Sequence, residues 1–203
     1  MAISLQKGQR ISLEKQGGQK LQAMCVGLNW GAIQKKGFFG GSKTEAVDLD
    51  ASCGLYDAAN QLVDVVYFSS LRSRDGSITH SGDDLTGDTG GDDGLDNEVI
   101  TVELGRISAS VQNVVFILNS FGGHDFGDVP FAALRIYEGT PSRVEQVFAT
   151  YNIAQDQKFA GHISMIMGKL YRHQEGWKFT AIGEPTKDRK LEDSLRTCAQ
   201  QYL

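Results

Sequence analysis

The stretch from Ala46 to Asp57, "AVDLDASCGLYD", sets Val47, Leu49, Ala51, Cys53 and Leu55 against Asp48, Asp50, Ser52 and Tyr56. Side chains alternate between faces along a β-strand, whereas apolar positions three and four apart mark a helix. This period of two predicts a strand with one apolar face turned to a core and one polar face turned away. The plainer reading of that second face is a solvated surface, because paired acids are costly to bury without partners.

The same alternation extends in both directions. Upstream, "LQAMCVGLNW" (21–30) aligns Met24, Val26, Leu28 and Trp30 on one side. Downstream, "QLVDVVYF" (61–68), "EVITVELGRI" (98–107), "NVVFILNSF" (113–121) and "FAALRIYEG" (131–139) read as strands. So do "RVEQVFATYNI" (143–153), "HISMIMGKLYRH" (162–173) and "GWKFTAIGE" (176–184). Short strands separated by Gly, Asn and Asp predict an all-β protein, an antiparallel β-sandwich in one domain over residues 1–203. Only "TKDRKLEDSLRTCAQQYL" (186–203) has helical spacing, through Leu191, Leu195 and Cys198, and predicts a short C-terminal helix packed at the end of the sandwich.

Composition agrees. The chain of 203 residues is 40% hydrophobic and has only 3 prolines, enough apolar content for a core and too little bias for disorder. There is no apolar run long enough to span a membrane, and "MAISLQKGQRISLEK" lacks the apolar centre of a secretory signal. Cys25, Cys53 and Cys198 are scattered and unpaired by spacing, which suits a reducing cytoplasm and gives neither a disulfide framework nor a zinc site. Cys53 falls on the apolar face of its strand and is expected to pack rather than react.

Charge is distributed unevenly. Between Arg74 and Arg106 stand 9 acids and no base, so of the total of −5 that segment carries −9 and leaves +4 for the rest. Such a face repels nucleic acid. Its centre, "HSGDDLTGDTGGDDGLDNE" (80–98), packs 7 carboxylates and 5 glycines into 19 residues. Two carboxylates about 4 Å apart repel by roughly 1 kcal/mol in water and about 4 kcal/mol near a protein surface. The loop therefore stays loose and hydrated, or a cation gathers it.

Asp83, Asp84, Asp88, Asp92, Asp93, Asp96, Asn97 and Glu98 supply hard oxygen ligands, which suit calcium better than zinc, copper or iron. Glycines at 82, 87, 90, 91 and 94 let the backbone turn tightly enough for several to converge. The EF-hand spacing fails: with Gly94 at its sixth position, Thr89 and Gly91 occupy the first and third. The composition leaves two readings open, a calcium site of another design and a solvated acidic loop. Asp48 and Asp50 join the first if the loop folds over their strand.

Three stretches in order resemble the TerD family of tellurium-resistance and stress proteins: "GLNW" (27–30) followed by "VDLDASCGLYD" (47–57), "HSGDDLTGD" through "DDGLDNEVITVEL" (80–104), and "NSFGGHDFGDV" (119–129). The closing "YRHQEGWKFTAIGEP" (171–185) is similar as well. The resemblance implies a sandwich that binds calcium, two or more ions, through Asp48 and Asp50 on the strand and Asp83, Asp84, Asp96 and Glu98 in the loop. Asp92, Asp93 and Asn97 complete the candidate metal ligands. Asn97 stands where many members carry a second Asp. The resemblance further implies a role in resistance to tellurite, other chemicals and phage, in complexes with other family proteins at the inner face of the membrane.

No catalytic constellation competes with this. His80 and Ser81 are adjacent in a strand and point to opposite faces, and no glycine loop that cradles phosphate precedes a helix. The expectation is a non-enzymatic, cytoplasmic calcium-binding stress protein. The alternative is a calcium-dependent membrane or lipid adaptor, motivated by the glycine-rich loop "QKKGFFGGSK" (34–43), whose Phe38 and Phe39 sit beside lysines.

Overall fold

A computed structural model describes residues 3–4, 8–13, 19–36, 41–154, 157–174 and 176–203. Its strands are β1 (Ile3–Ser4), β2 (Arg10–Ser12), β3 (Ala23–Trp30), β4 (Ile33–Lys36), β5 (Ser42–Glu45), β6 (Leu49–Tyr56) and β7 (Leu62–Val66). They continue as β8 (Ile78–His80), β9 (Glu98–Glu103), β10 (Asn113–Ser120), β11 (Ala132–Thr140), β12 (Arg143–Asn152), β13 (Ser164–His173) and β14 (Gly176–Thr186). One helix, α1 (Leu191–Gln201), closes the chain.

One six-stranded sheet has the order β1-β12-β11-β3-β9-β8 and the other the order β2-β14-β13-β10-β6-β7. Within them β1 and β12 run parallel and all other neighbours antiparallel. The alternating residues meet between the sheets as expected: Met24, Val26, Leu28 and Trp30 from β3 face Leu49, Ala51, Cys53 and Leu55 from β6 in one core. Each large apolar side chain fully buried this way contributes about 1.5–3 kcal/mol. The antiparallel β-sandwich is thus the observed architecture.

The second face of β6 departs from the solvated surface that its polarity suggests. Asp50, Ser52 and Tyr56 are all buried. Asp50 is closed in beside Asp48 and Asp83, whereas for Tyr56 the cause is α1, which lies across the outer face of the second sheet rather than at the end of the sandwich. Leu195 and Cys198 pack there on Tyr56, Val115, Ile117 and Ile166, and the Tyr56 hydroxyl donates to Leu195 O at 2.9 Å. Gly54 makes room, since a Cβ there would stand 2.6 Å from Leu195.

The two ends of the segment 34–43 lie in paired strands, because β4 pairs with β5 antiparallel. Phe38 and Phe39 lie outside the described residues. All three cysteines are buried and unbridged, and burial raises each thiol pKa, to about 12 at Cys198. Thiols held protonated in this way are poor nucleophiles.

Candidate metal centre

Strand register gathers the acidic residues at one end of the sandwich. β6 starts there, β9 starts there, and β10 ends there, with Asn119 opposite Asp50 and Glu98 opposite Leu28. The acidic loop between β8 and β9 crosses this end. It is held by Val47 N to Thr86 O at 3.0 Å, Asp88 N to Trp30 O at 2.9 Å, and Ala32 N to Asp88 O at 3.0 Å. Trp30 lies beneath, donating through Nε1 to Val47 O at 2.7 Å. Gly87 is required where the loop passes the indole: its φ is +65°, and a Cβ would stand 2.6 Å from the Trp30 ring.

Asp48, Asp50 and Asp83 converge. One oxygen from each lies within 4.8 Å of the others. Two ligands at about 2.4 Å from a single calcium ion are at most about 4.8 Å apart, so the three carboxylates are close enough to share one. Asp48 Oδ1 is buried and has no hydrogen-bond partner among the described residues. Asp50 is 7% exposed. Burial, then repulsion from Asp83, Glu98 and Asp84, raises the Asp48 pKa to about 6. Burial, then repulsion from Asp48, Glu98 and Asp83, raises Asp50 to about 7. A group of carboxylates that resist ionisation for want of positive charge is what a cation would relieve.

Glu98 acts differently. It is fully buried, and its Oε2 accepts Ala51 N at 2.8 Å while Oε1 accepts Asp84 N at 3.2 Å. His80 Nε2 stands 3.0 Å from Ala51 O and 3.3 Å from Glu98 Oε2. At this point β6 has no strand neighbour on its β7 side, since that pairing begins at Cys53. Side chains of β8 and β9, from the other sheet, therefore satisfy the backbone of Ala51 and clasp the two sheets together. Nothing in the sequence marked His80, because only the pairing of β8 with β9 turns it towards Glu98.

The remaining acids order the loop through local turns. Asp84 Oδ1 accepts from Thr86 N and Gly87 N at 2.9 and 3.1 Å. Burial opposes its ionisation, but these bonds and the Asn97 amide outweigh it and hold its pKa low. Asp92 Oδ1 accepts from Asn29 Nδ2 and Gly94 N, and Asp93 Oδ1 from Leu95 N. Asn97 is a brace: Oδ1 accepts Trp30 N at 2.8 Å, while Nδ2 donates to Asp84 Oδ2 at 3.1 Å and Asp88 Oδ1 at 3.0 Å. Its amide answers two carboxylates that would otherwise repel.

Asp96 is apart from the converging three. Its buried carboxylate faces the outer side of the first sheet, where Arg135 Nε is 2.7 Å from Oδ1. Burial raises its pKa, and Arg135 and Tyr137 offset part of the rise. Gly27 admits it, because a Cβ there would fall 2.0 Å from Asp96 Oδ2. Of the nine candidate ligands, then, the fold brings Asp48, Asp50 and Asp83 together, with Asp84 and Glu98 bordering them.

Fold and site define an all-β sandwich whose loops collect acidic side chains at one end. The chain matches the TerD domain over residues 1–200 and belongs to the TerD family. It is 36% identical to tellurium resistance protein TerZ of Serratia marcescens, over 94% of each chain. It is also 36% identical to stress response protein SCP2 of Bacillus subtilis (strain 168), over 96% of this chain and 98% of that one. The crystal structure of a homologue of telluride resistance protein (TerD) from Streptomyces coelicolor A3(2) shares the fold, with a TM-score of 0.65 at 22% identity over 89% of this chain and 96% of that one.

Proposed function

We propose that this member of a tellurium-resistance and stress-response family is a non-enzymatic calcium-binding protein, a sensor or scaffold that works with other TerD-family proteins in a membrane-associated complex. The observation that carries the calcium reading is the buried, unpartnered Asp48 Oδ1 beside Asp50 and Asp83. These three residues hold the first ion. Further ions would draw on Asp84, Asp88, Asp92 and Asp93, whose carboxylates already accept hydrogen bonds, so they bind more weakly. Calorimetric titration of the chelator-stripped protein with calcium should show a saturable event in the micromolar range or tighter. Asp50→Asn with Asp83→Asn should abolish the tightest event; binding that survives this pair places the ion elsewhere.

The second reading is a calcium-dependent membrane adaptor. Phe121 supports it, being 70% exposed beside the carboxylates, with its backbone N–H on Asp48 O at 3.0 Å and its ring edge-on to Phe68. Leu85, on the acidic loop, is 60% exposed. No helix among the described residues is long and apolar enough to cross a membrane. Sedimentation with anionic liposomes distinguishes the readings: pelleting only with calcium, lost in Phe121→Ser, favours the adaptor, and no pelleting with or without calcium removes it.

A further inference from the structure

Asn119 stands directly opposite Asp50 where β10 pairs with β6, and directly opposite Ser164 where β10 pairs with β13. Residues directly opposite in antiparallel strands share a face, with Cβ atoms about 4.5–5.5 Å apart. Asn119 therefore borders the carboxylate cluster from the outer face of the second sheet. It is 8% exposed, and its Oδ1 is buried with no hydrogen-bond partner among the described residues. An amide oxygen buried in this way is costly unless something binds it.

The other arm of the amide is tied down. Its Nδ2 donates to Ser164 Oγ at 2.7 Å and to Ser194 Oγ, on α1, at 3.3 Å. Both serines are buried. β13 and β6 flank β10 on opposite sides, so an amide that reaches Ser164 with its nitrogen leaves its oxygen on the side of Asp50. Asn97 makes the opposite choice: its Nδ2 goes to Asp84 and Asp88, which is how an amide settles between bare carboxylates. Turned the other way, Asn119 adds a partial negative charge to an acidic cluster, an arrangement that a cation there would favour.

We infer that Asn119 Oδ1 is a further ligand of the ion held by Asp48, Asp50 and Asp83. This rests on the calcium reading above and adds a ligand to it. Calcium takes about six to eight oxygens, more than three carboxylates supply unless every one binds through both of its oxygens. Those carboxylates already outweigh the charge of the ion, so a neutral oxygen completes the shell without adding to their repulsion. Ser164 and Ser194 position the amide, and through Ser194 the first turn of α1 becomes part of the frame around the ion.

Terbium shares calcium's preference for oxygen, and its luminescence decay in light and heavy water counts the waters bound to it. In the full chain loaded with a single equivalent of terbium, Asn119→Ala should raise that count by about one, and it should weaken calcium binding in calorimetry about tenfold. Asn119→Asp keeps an oxygen in place and should restore the native count. Ser52→Ala is the control. Ser52 Oγ is also buried and unpartnered, but it lies further into the sheet, opposite Ile117, and its loss should leave the count unchanged. The native protein supplies a check that needs no variant: the side-chain carbonyl carbon resonance of Asn119 should move saturably with calcium, while that of Asn113, at the far end of β10, stays in place. Calcium binding with an unmoved Asn119 resonance, an unchanged count in Asn119→Ala, or an equal rise in Ser52→Ala overturns the inference and leaves the calcium reading standing. Native protein that takes up neither ion overturns both.

Discussion

Asp50→Asn is the sharpest probe of the carboxylate cluster, because it should stabilise the metal-free protein. Burial and three acidic neighbours lift the Asp50 pKa from 3.8 to about 7 in the fold. The fold therefore favours the protonated carboxyl. That contribution is complete below about pH 3.8 and is lost as pH rises through about 7, so at pH 8 the ionised side chain opposes folding. One pKa step is worth about 1.4 kcal/mol, which puts the full opposition near 4 kcal/mol for Asp50 alone. Asp48 shares the same repulsion, so the two contributions do not add. An amide of equal size removes the charge but keeps a buried polar group, which reduces the expected gain to about 2 kcal/mol. For a chain of this length that is roughly 4–8 °C in melting temperature. Differential scanning calorimetry in chelator at pH 8 should show this rise, and it should shrink towards zero at pH 4. With excess calcium the order should reverse, the native protein melting higher. A variant that melts at or below the native protein in chelator at pH 8 would refute the idea that these carboxylates strain against one another.

Three further substitutions examine the frame around the cluster. Glu98→Ala leaves Ala51 N and Asp84 N without acceptors and should cost about 3 kcal/mol or more in urea unfolding, where a loss under about 1 kcal/mol would deny the clasp its role. Asn97→Asp puts a carboxylate about 3 Å from both Asp84 and Asp88. It should lower metal-free stability by about 2 kcal/mol and add one calcium ion to the calorimetric stoichiometry; unchanged stoichiometry argues against a cation-like role for the amide. Gly27→Ala should displace Asp96 from Arg135 and destabilise by about 2–3 kcal/mol, detectable as a lower urea midpoint at unchanged slope.

The alternation of β3 and β6 carried the sandwich, because each core residue leaves its mark at a period of two. The same pattern misread the outer face of β6. Tyr56 looks like part of a wetted surface until α1, some 135 residues later, is laid over it. Local polarity cannot report a cover that arrives from elsewhere in the chain. The acidic loop was legible as a source of oxygen ligands, but how its members divide was not. Asp96 turns to Arg135 because distant strands are set side by side, while Asp84 is taken up by turns within its own loop. Gly87 could be read as a tight turn, whereas its contact with Trp30 required the fold.

The clasp at Ala51 has a consequence for how the molecule reports on itself. Where β6 is paired on both sides, from Cys53 onward, an amide is shielded by a neighbouring strand and exchanges with solvent only when a whole ladder parts. The Ala51 amide is shielded by one carboxylate, which also holds the first turn of the acidic loop. Its exchange rate is thus a gauge of whether that crossing is seated, readable at one residue while the surrounding ladder stays silent.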